Sequence, residues 1–283
     1  MTDFRPRRSV LYLPAANARA IEKARGLAAD AVILDLEDAV APEAKDSARE
    51  AAVAAIAAGG WGRREMLVRV NSLATAWSEA DFAAVAASGA DGVVVPKVDG
   101  PEDAAKAVAL AGGKPVWAMI ETPRAVLLAE AVATTPGVAA LVAGFADLAK
   151  DLRAKPGPDR LPLIFSASRI LLAARMAGIP AFDGVYTDIR DPAGLEAEAR
   201  QGLELGFDGK TCIHPDQIEA VNRIFSPSEA EVEDARGLIA AHEAAAAEGK
   251  GVATFKGKLV EVLHVAEARR TLSVSEAIAE LRG

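Results

Sequence analysis

The chain has 283 residues, of which 51% are hydrophobic and 25% charged, and a formal net charge of −8. That length holds one large α/β domain or two small ones, and a negative balance without a Lys/Arg block argues against nucleic acid or an anionic membrane surface as a partner. A single cysteine, Cys212, leaves no internal disulfide and fits a reducing, cytoplasmic setting, while no apolar run approaches the roughly 18 residues of a membrane span.

Short β-rich runs alternate with helical patterns along the chain. Strands are expected at 9–13, 31–36, 66–70, 92–96, 116–120, 139–143, 184–187 and 207–211. Helices are expected at 17–28, 42–57, 78–87, 101–111, 123–133, 161–177 and 192–205. Asn17 stands where an N-cap belongs. Pro42, Pro101, Pro123 and Pro192 fall at helix starts, where a missing N–H costs nothing. Gly26, Gly89, Gly178 and Gly206 fall where helices should end. The strands are continuously apolar rather than alternating, the pattern of a parallel sheet covered on both faces. Eight βα units in about 220 residues point to a closed (β/α)8 TIM barrel over 1–225 more than to an open doubly wound sheet. The first βα turn, LPAAN, also lacks the glycine fingerprint of a dinucleotide site.

After Phe225 the character changes. Ser228 is placed to cap a helix with a strongly acidic first turn, and a short turn or hairpin and another helix follow. The segment 226–283 reads as a C-terminal helical extension, either a lid on its own subunit or an arm reaching a neighbour.

In a barrel, chemistry belongs at the C-terminal strand ends. Those ends carry Asp35, Glu37 and Asp38, then Arg69 and Asn71, Lys97, Glu121, Asp147, and finally Lys210, Cys212 and His214. Each also has a plain structural role open to it. The acidic residues can cap the following turns or helices, Arg69 can form an internal ion pair, Lys97 can neutralise carboxylates or act as a Schiff-base lysine, Cys212 can be a small buried residue, and His214 can start a helix. Together, two carboxylates at neighbouring strand ends suit a Mg²⁺ that keeps open positions for substrate, and an arginine beside them suits a carboxylate or enolate oxygen.

The motifs RSVLYLPAAN, ILDLEDAVAP, VRVNS, VPKV, AMIETPRAV, GFADL and GFDGKTCIHPDQI occur in that order over nearly the whole chain. In this series the chain resembles the citrate lyase β-subunit-like branch of the HpcH/HpaI aldolase superfamily, whose relatives include malyl-CoA, citramalyl-CoA and citryl-carrier lyases. The resemblance implies a TIM barrel, usually a homotrimer, with Mg²⁺ held between Glu121 and Asp147 and chelating an α-keto acid or the matching end of a 3-hydroxyacyl thioester. It implies that Arg69 holds the thioester carbonyl side and stabilises its enolate. Glu37 and Asp38 match the acidic loop that binds metal waters, and Tyr12, Arg19 and Lys23 lie where relatives accommodate the CoA or carrier arm. Relatives also use an aspartate from a neighbour's C-terminal tail; here GKLVEVLHVAEA places Glu261 at that position, one methylene longer and without the following proline.

The expected activity is therefore a Mg²⁺-dependent carbon–carbon lyase on malyl-CoA- or citramalyl-CoA-type thioesters, giving an α-keto acid and acetyl-CoA, with Glu261 or a water held by Glu37 and Asp38 carrying the proton. The alternatives are a thioesterase on the same substrates, or a carrier-binding β subunit of a citrate lyase-like complex. A Schiff-base aldolase acting through Lys97 or Lys210 is the last reading.

Overall fold

The computed structural model describes residues 5–249 and 252–282. Among them, eight parallel strands close into a barrel in sequence order. They are β1 (Ser9–Pro14), β2 (Ala31–Asp35), β3 (Glu65–Arg69), β4 (Gly92–Val95), β5 (Val116–Ile120), β6 (Val138–Ala143), β7 (Ala181–Asp183) and β8 (Gly209–Cys212). β8 pairs back onto β1, with Ser9 opposite Lys210 and Val10 opposite Thr211. That closure decides against the open sheet.

Every residue of β2, β3 and β5 is buried, because helices cover the outer face and side chains fill the inner one. The pleat sorts them. Val10, Ala31, Ile33, Leu67, Val94, Trp117, Met119, Ala140, Val142 and Phe182 form the interior cluster, while the alternate residues, such as Leu11, Val32, Leu34, Val68 and Ala118, join the layer beneath the helices. Inside, Trp117 stacks on Phe182 with centroids 4.6 Å apart and planes 9° from parallel.

The helical segments differ from expectation in detail. The first shortens to Ala18–Ala24, with Asn17 accepting from the Ala20 N–H as its cap. The segment at 123–133 divides into Pro123–Leu127 and Ala129–Ala133, and those at 42–57 and 161–177 each begin with a 3-10 turn. One expected strand is misplaced: 184–187 is loop, and the strand is 181–183. At the end of β7 side chains of β8 bond to the backbone, the Asp183 carbonyl accepting from Thr211 Oγ1 and the Gly184 carbonyl from Lys210 Nζ. Asp183, the last residue of the strand, is fully buried between Arg160 and Lys210.

The chain divides into two compact units, one spanning 7–225 and the other comprising 226–282 with residues 5 and 6 among those described. The second unit contains the helix Glu229–Ala247, the antiparallel pair β9 (Ala253–Phe255) and β10 (Lys258–Val260), and the helix Val262–Arg282. Ser228 caps the first helix in a reciprocal capping box with Glu231.

Candidate active site

Four strands deliver polar side chains to the barrel mouth by simple alternation. Val10 faces inward on β1, so Tyr12 does; Ile33 on β2 is followed by Asp35, Leu67 on β3 by Arg69, and Met119 on β5 by Glu121 just past the strand end. Register then brings Asp35 beside Arg69 across the β2–β3 ladder. The Arg69 guanidinium donates from Nε and Nη2 to the two Asp35 carboxylate oxygens, both at 2.7 Å. Its Nη1 lies 2.9 Å from Glu37 Oε2 and 3.7 Å from Asp38 Oδ2. The Glu37 contact is an ion pair out of line for a hydrogen bond, leaving that buried oxygen without a hydrogen-bond donor. Tyr12 spreads its ring beneath the guanidinium, 4.9 Å from Cζ.

Asp35 does more than hold Arg69. It accepts from the Glu37 and Ala39 N–H groups, pinning the acidic loop after β2, and Lys45 Nζ donates to the Leu36 and Glu37 carbonyls from behind. Lys97 ties this corner to β5: its Nζ donates to Glu37 Oε1 at 2.7 Å and its backbone N–H to Glu121 Oε1 at 2.6 Å. The second bond comes with a backbone φ of 54° at Lys97, a left-handed conformation that costs a non-glycine residue energy.

Glu121 is 2% exposed. Burial, then the Glu37 carboxylate, with Asp147 adding to it, pushes its carboxyl up to about 7 against the Lys97 N–H and Arg69. Burial likewise raises Glu37, outweighing Arg69 and Lys97. Arg69 is raised as well, but for a guanidinium a rise favours the charged form. Burial opposes its charge, but the bonds to and charge of Asp35 outweigh that and raise it, so the guanidinium stays charged.

These groups border a cavity of about 410 Å³ whose wall includes Tyr12, Asp38, Arg69, Met119, Glu121 and Asp147. Asp147 enters from the first turn of the helix Phe145–Asp151. Gly144, just before it, leaves room for Glu121: a Cβ there would lie 2.5 Å from Glu121 Oε2. Among the described residues no three His, Cys, Asp or Glu side chains gather into a protein-only metal cage. A buried carboxylate crowded by others, with a second carboxylate on the same cavity, nevertheless suits Mg²⁺, which takes one or two protein carboxylates and completes its shell with water and substrate. Glu121 and Asp147 are the residues that would hold it.

The structure thus gathers Tyr12, Asp38, Arg69, Glu121 and Asp147 on one cavity and sets Glu37 behind it. It does not bring Arg19 and Lys23 there; both are exposed on the helix Ala18–Ala24 and absent from the cavity wall. Glu261 lies in the C-terminal unit, exposed, its N–H donating to His264 Nδ1 at the start of the last helix. Lys210 is fully buried and donates to Asp183, Glu198 and the Gly184 carbonyl, so its amine is an internal ion-pair partner with no access for a keto acid. Cys212 is fully buried, its thiol pushed up to about 12 by burial, and His214 caps the 3-10 turn Pro215–Gln217. Sequence reasoning named Asp35 at a strand end but gave it no part in the site. Its parity with Ile33 and its place opposite Arg69 were the available signals.

Comparison with known proteins gives a consistent picture. The family model described as HpcH/HpaI aldolase/citrate lyase matches residues 8–215, and one described as C-C_Bond_Lyase of the TIM-Barrel fold matches residues 165–278. The chain is similar to a (3S)-malyl-CoA thioesterase of Cereibacter sphaeroides, at 48% identity over 98% of this chain and 97% of the relative. It is similar to the citrate lyase subunit beta of Escherichia coli at 39% identity, over 96% of this chain and 94% of the other. The crystal structure of protein CitE from Mycobacterium tuberculosis in complex with magnesium, acetoacetate and coenzyme A superposes with a TM-score of 0.81 at 31% identity, covering 95% of this chain and 98% of that one. With a match running from the first barrel strand past the last, the chain belongs to the HpcH/HpaI aldolase/citrate lyase family and is citrate-lyase-β-like.

Proposed function

We propose that this protein is a Mg²⁺-dependent thioesterase acting on malyl-CoA-type 3-hydroxyacyl thioesters in the cytoplasm. The observation that carries the reading is the similarity of the whole chain to a (3S)-malyl-CoA thioesterase, and the site supplies chemistry to match. Bound by Glu121 and Asp147, Mg²⁺ would orient the hydroxy-acid end of the substrate and polarise its oxygens. Arg69, kept charged and fixed in orientation by Asp35, faces the cavity where a thioester carbonyl would gather negative charge. Asp38, 63% exposed on the cavity wall, would take a proton from water as that water attacks the acyl carbon. The new carbon–oxygen bond replaces the carbon–sulfur bond, and the CoA thiolate leaves and takes up a proton. Lys97 and Lys45 hold Glu37 and its loop in place during this.

A carbon–carbon lyase is the second reading, favoured by the match of residues 165–278 to a carbon–carbon bond lyase model. There Glu261, contributed by the tail of a neighbouring copy, would carry the proton. Products separate the two. Purified protein with Mg²⁺ and malyl-CoA should give free malate and CoA; glyoxylate and acetyl-CoA instead would establish the lyase and remove the hydrolytic proposal.

A further inference from the structure

The Tyr12 hydroxyl has one partner among the described residues, Met119 Sδ at 3.7 Å. A thioether is a weak acceptor, and Tyr12 is half-buried on the wall of a cavity, so its hydroxyl has donor capacity left for a molecule bound there. The ring itself is accounted for: it packs against the barrel interior and lies under Arg69. Its oxygen is not. Tyr12 borders the same cavity as Arg69, Glu121 and Asp147, while Arg19 and Lys23, with which sequence reasoning grouped it, are absent from that wall.

Two further observations give the hydroxyl a task. Asp35 takes the Arg69 Nε and one Nη2 hydrogen, and Nη1 faces Glu37 and Asp38, so much of the donor capacity of the guanidinium is already engaged. An oxygen acquiring negative charge beside it is better served by a second, preorganised donor. Burial, opposed by Arg69 but reinforced by the Asp35, Glu121 and Glu37 carboxylates, also keeps the phenol protonated, hence a donor and not an anion.

The geometry points to Tyr12 as a catalytic residue that donates its O–H to the acyl oxygen on which charge collects, alongside Arg69. The proton stays on Tyr12 throughout, so the group stabilises charge without exchanging it. Naming that oxygen as the thioester carbonyl rests on the thioesterase reading; the donor role itself does not.

Tyr12→Phe is the informative substitution because it keeps the ring under Arg69 and removes only the hydroxyl. The expected result is a fall in kcat on the order of 10²-fold with KM little changed and an unaltered thermal melt. A variant with wild-type kcat shows that the ring alone matters and overturns the inference. A second measurement is independent of turnover. The chain has two tyrosines, Tyr12 and Tyr186, so protein labelled with ¹³C at tyrosine Cζ gives two resonances, and the one lost in Tyr12→Phe is assigned. An unreactive amide analogue of malyl-CoA, which retains the acyl carbonyl, should shift that resonance; a thioether analogue lacking the carbonyl should bind and leave it in place. An unmoved Tyr12 resonance at saturating amide overturns the inference. A shifted resonance in a protein that hydrolyses no malyl thioester counts against the thioesterase reading alone.

Discussion

Arg69 is 9% exposed, and two of its three nitrogens rest on one carboxylate, so the consequences of losing Asp35 are sharp. Asp35→Asn leaves a buried guanidinium short of countercharge and turns one of the two acceptor oxygens into a donor, so either the Glu37 or the Ala39 N–H loses its partner. We expect a loss of about 3 kcal/mol in chemical denaturation and a fall in kcat of at least 10²-fold; a variant within 0.5 kcal/mol of wild type, roughly the scale of a plain surface substitution, would show that the pair is not needed. Gly144→Ala tests the opposite wall. Gly144 has an ordinary φ of −100°, so the substitution strains no backbone, but its Cβ would come 2.4 Å from Glu121 Cβ. The Glu121 carboxylate must shift, and calorimetric Mg²⁺ affinity should fall on the order of tenfold or more, since carboxylate placement within an ångström matters at such sites. These positions mark how far the sequence could be read. Glu121, Asp147 and Arg69 were legible because strand ends in a barrel face one rim. The second task of Asp35 and the left-handed Lys97 were not, because they depend on which neighbour a side chain or N–H meets across the ladder.

At the level of elements, the continuous apolar runs located seven of the eight strands closely, and proline, glycine and Asn17 located most helix ends. β7 escaped because its single polar residue is neutralised by partners 23 and 27 positions away in sequence, a pairing that no local pattern encodes. The helix Glu229–Ala247 was legible at its start, and its cap offers a clean test. The Ser228 hydroxyl accepts from the Glu231 N–H, and the Ser228 N–H and hydroxyl donate to the Glu231 carboxylate. Ser228→Ala should cost about 1 kcal/mol. These bonds hold the Glu231 carboxyl below its usual range. The contribution is therefore complete above the unfolded value of about 4.3 and is lost as pH falls through the lower folded value. Helix melting followed by circular dichroism should show the Glu231→Gln variant losing less stability than wild type on acidification through that window; parallel curves would deny the carboxylate its part.

For the molecule as a whole, the count of strands sufficed for a closed cylinder, and the pairing of β8 with β1 realises it. The work of the C-terminal unit was not legible in the same way, since Glu261 and the last helix carry no pattern that names a partner. Two measurements address the assembled protein. If Glu121 and Asp147 hold Mg²⁺ in the folded state alone, the ion should stabilise the fold by about 2.7 kcal/mol at a hundred times its Kd, EDTA should reverse the gain, and Glu121→Ala should abolish it; a melt indifferent to Mg²⁺ would remove the metal from these residues. By family resemblance the protein is proposed as a homotrimer, and light scattering should return three times the chain mass, with a monomer at micromolar concentration ruling that out.

The burial of Cys212 has a practical corollary at the bench. With its single thiol enclosed on the first to last strand seam and reluctant to ionise, the native enzyme should stay colourless with Ellman's reagent and yield one equivalent per chain only once denatured. Any coenzyme A released by the proposed hydrolysis would then be counted continuously against a silent background, so the colour itself would be the progress curve.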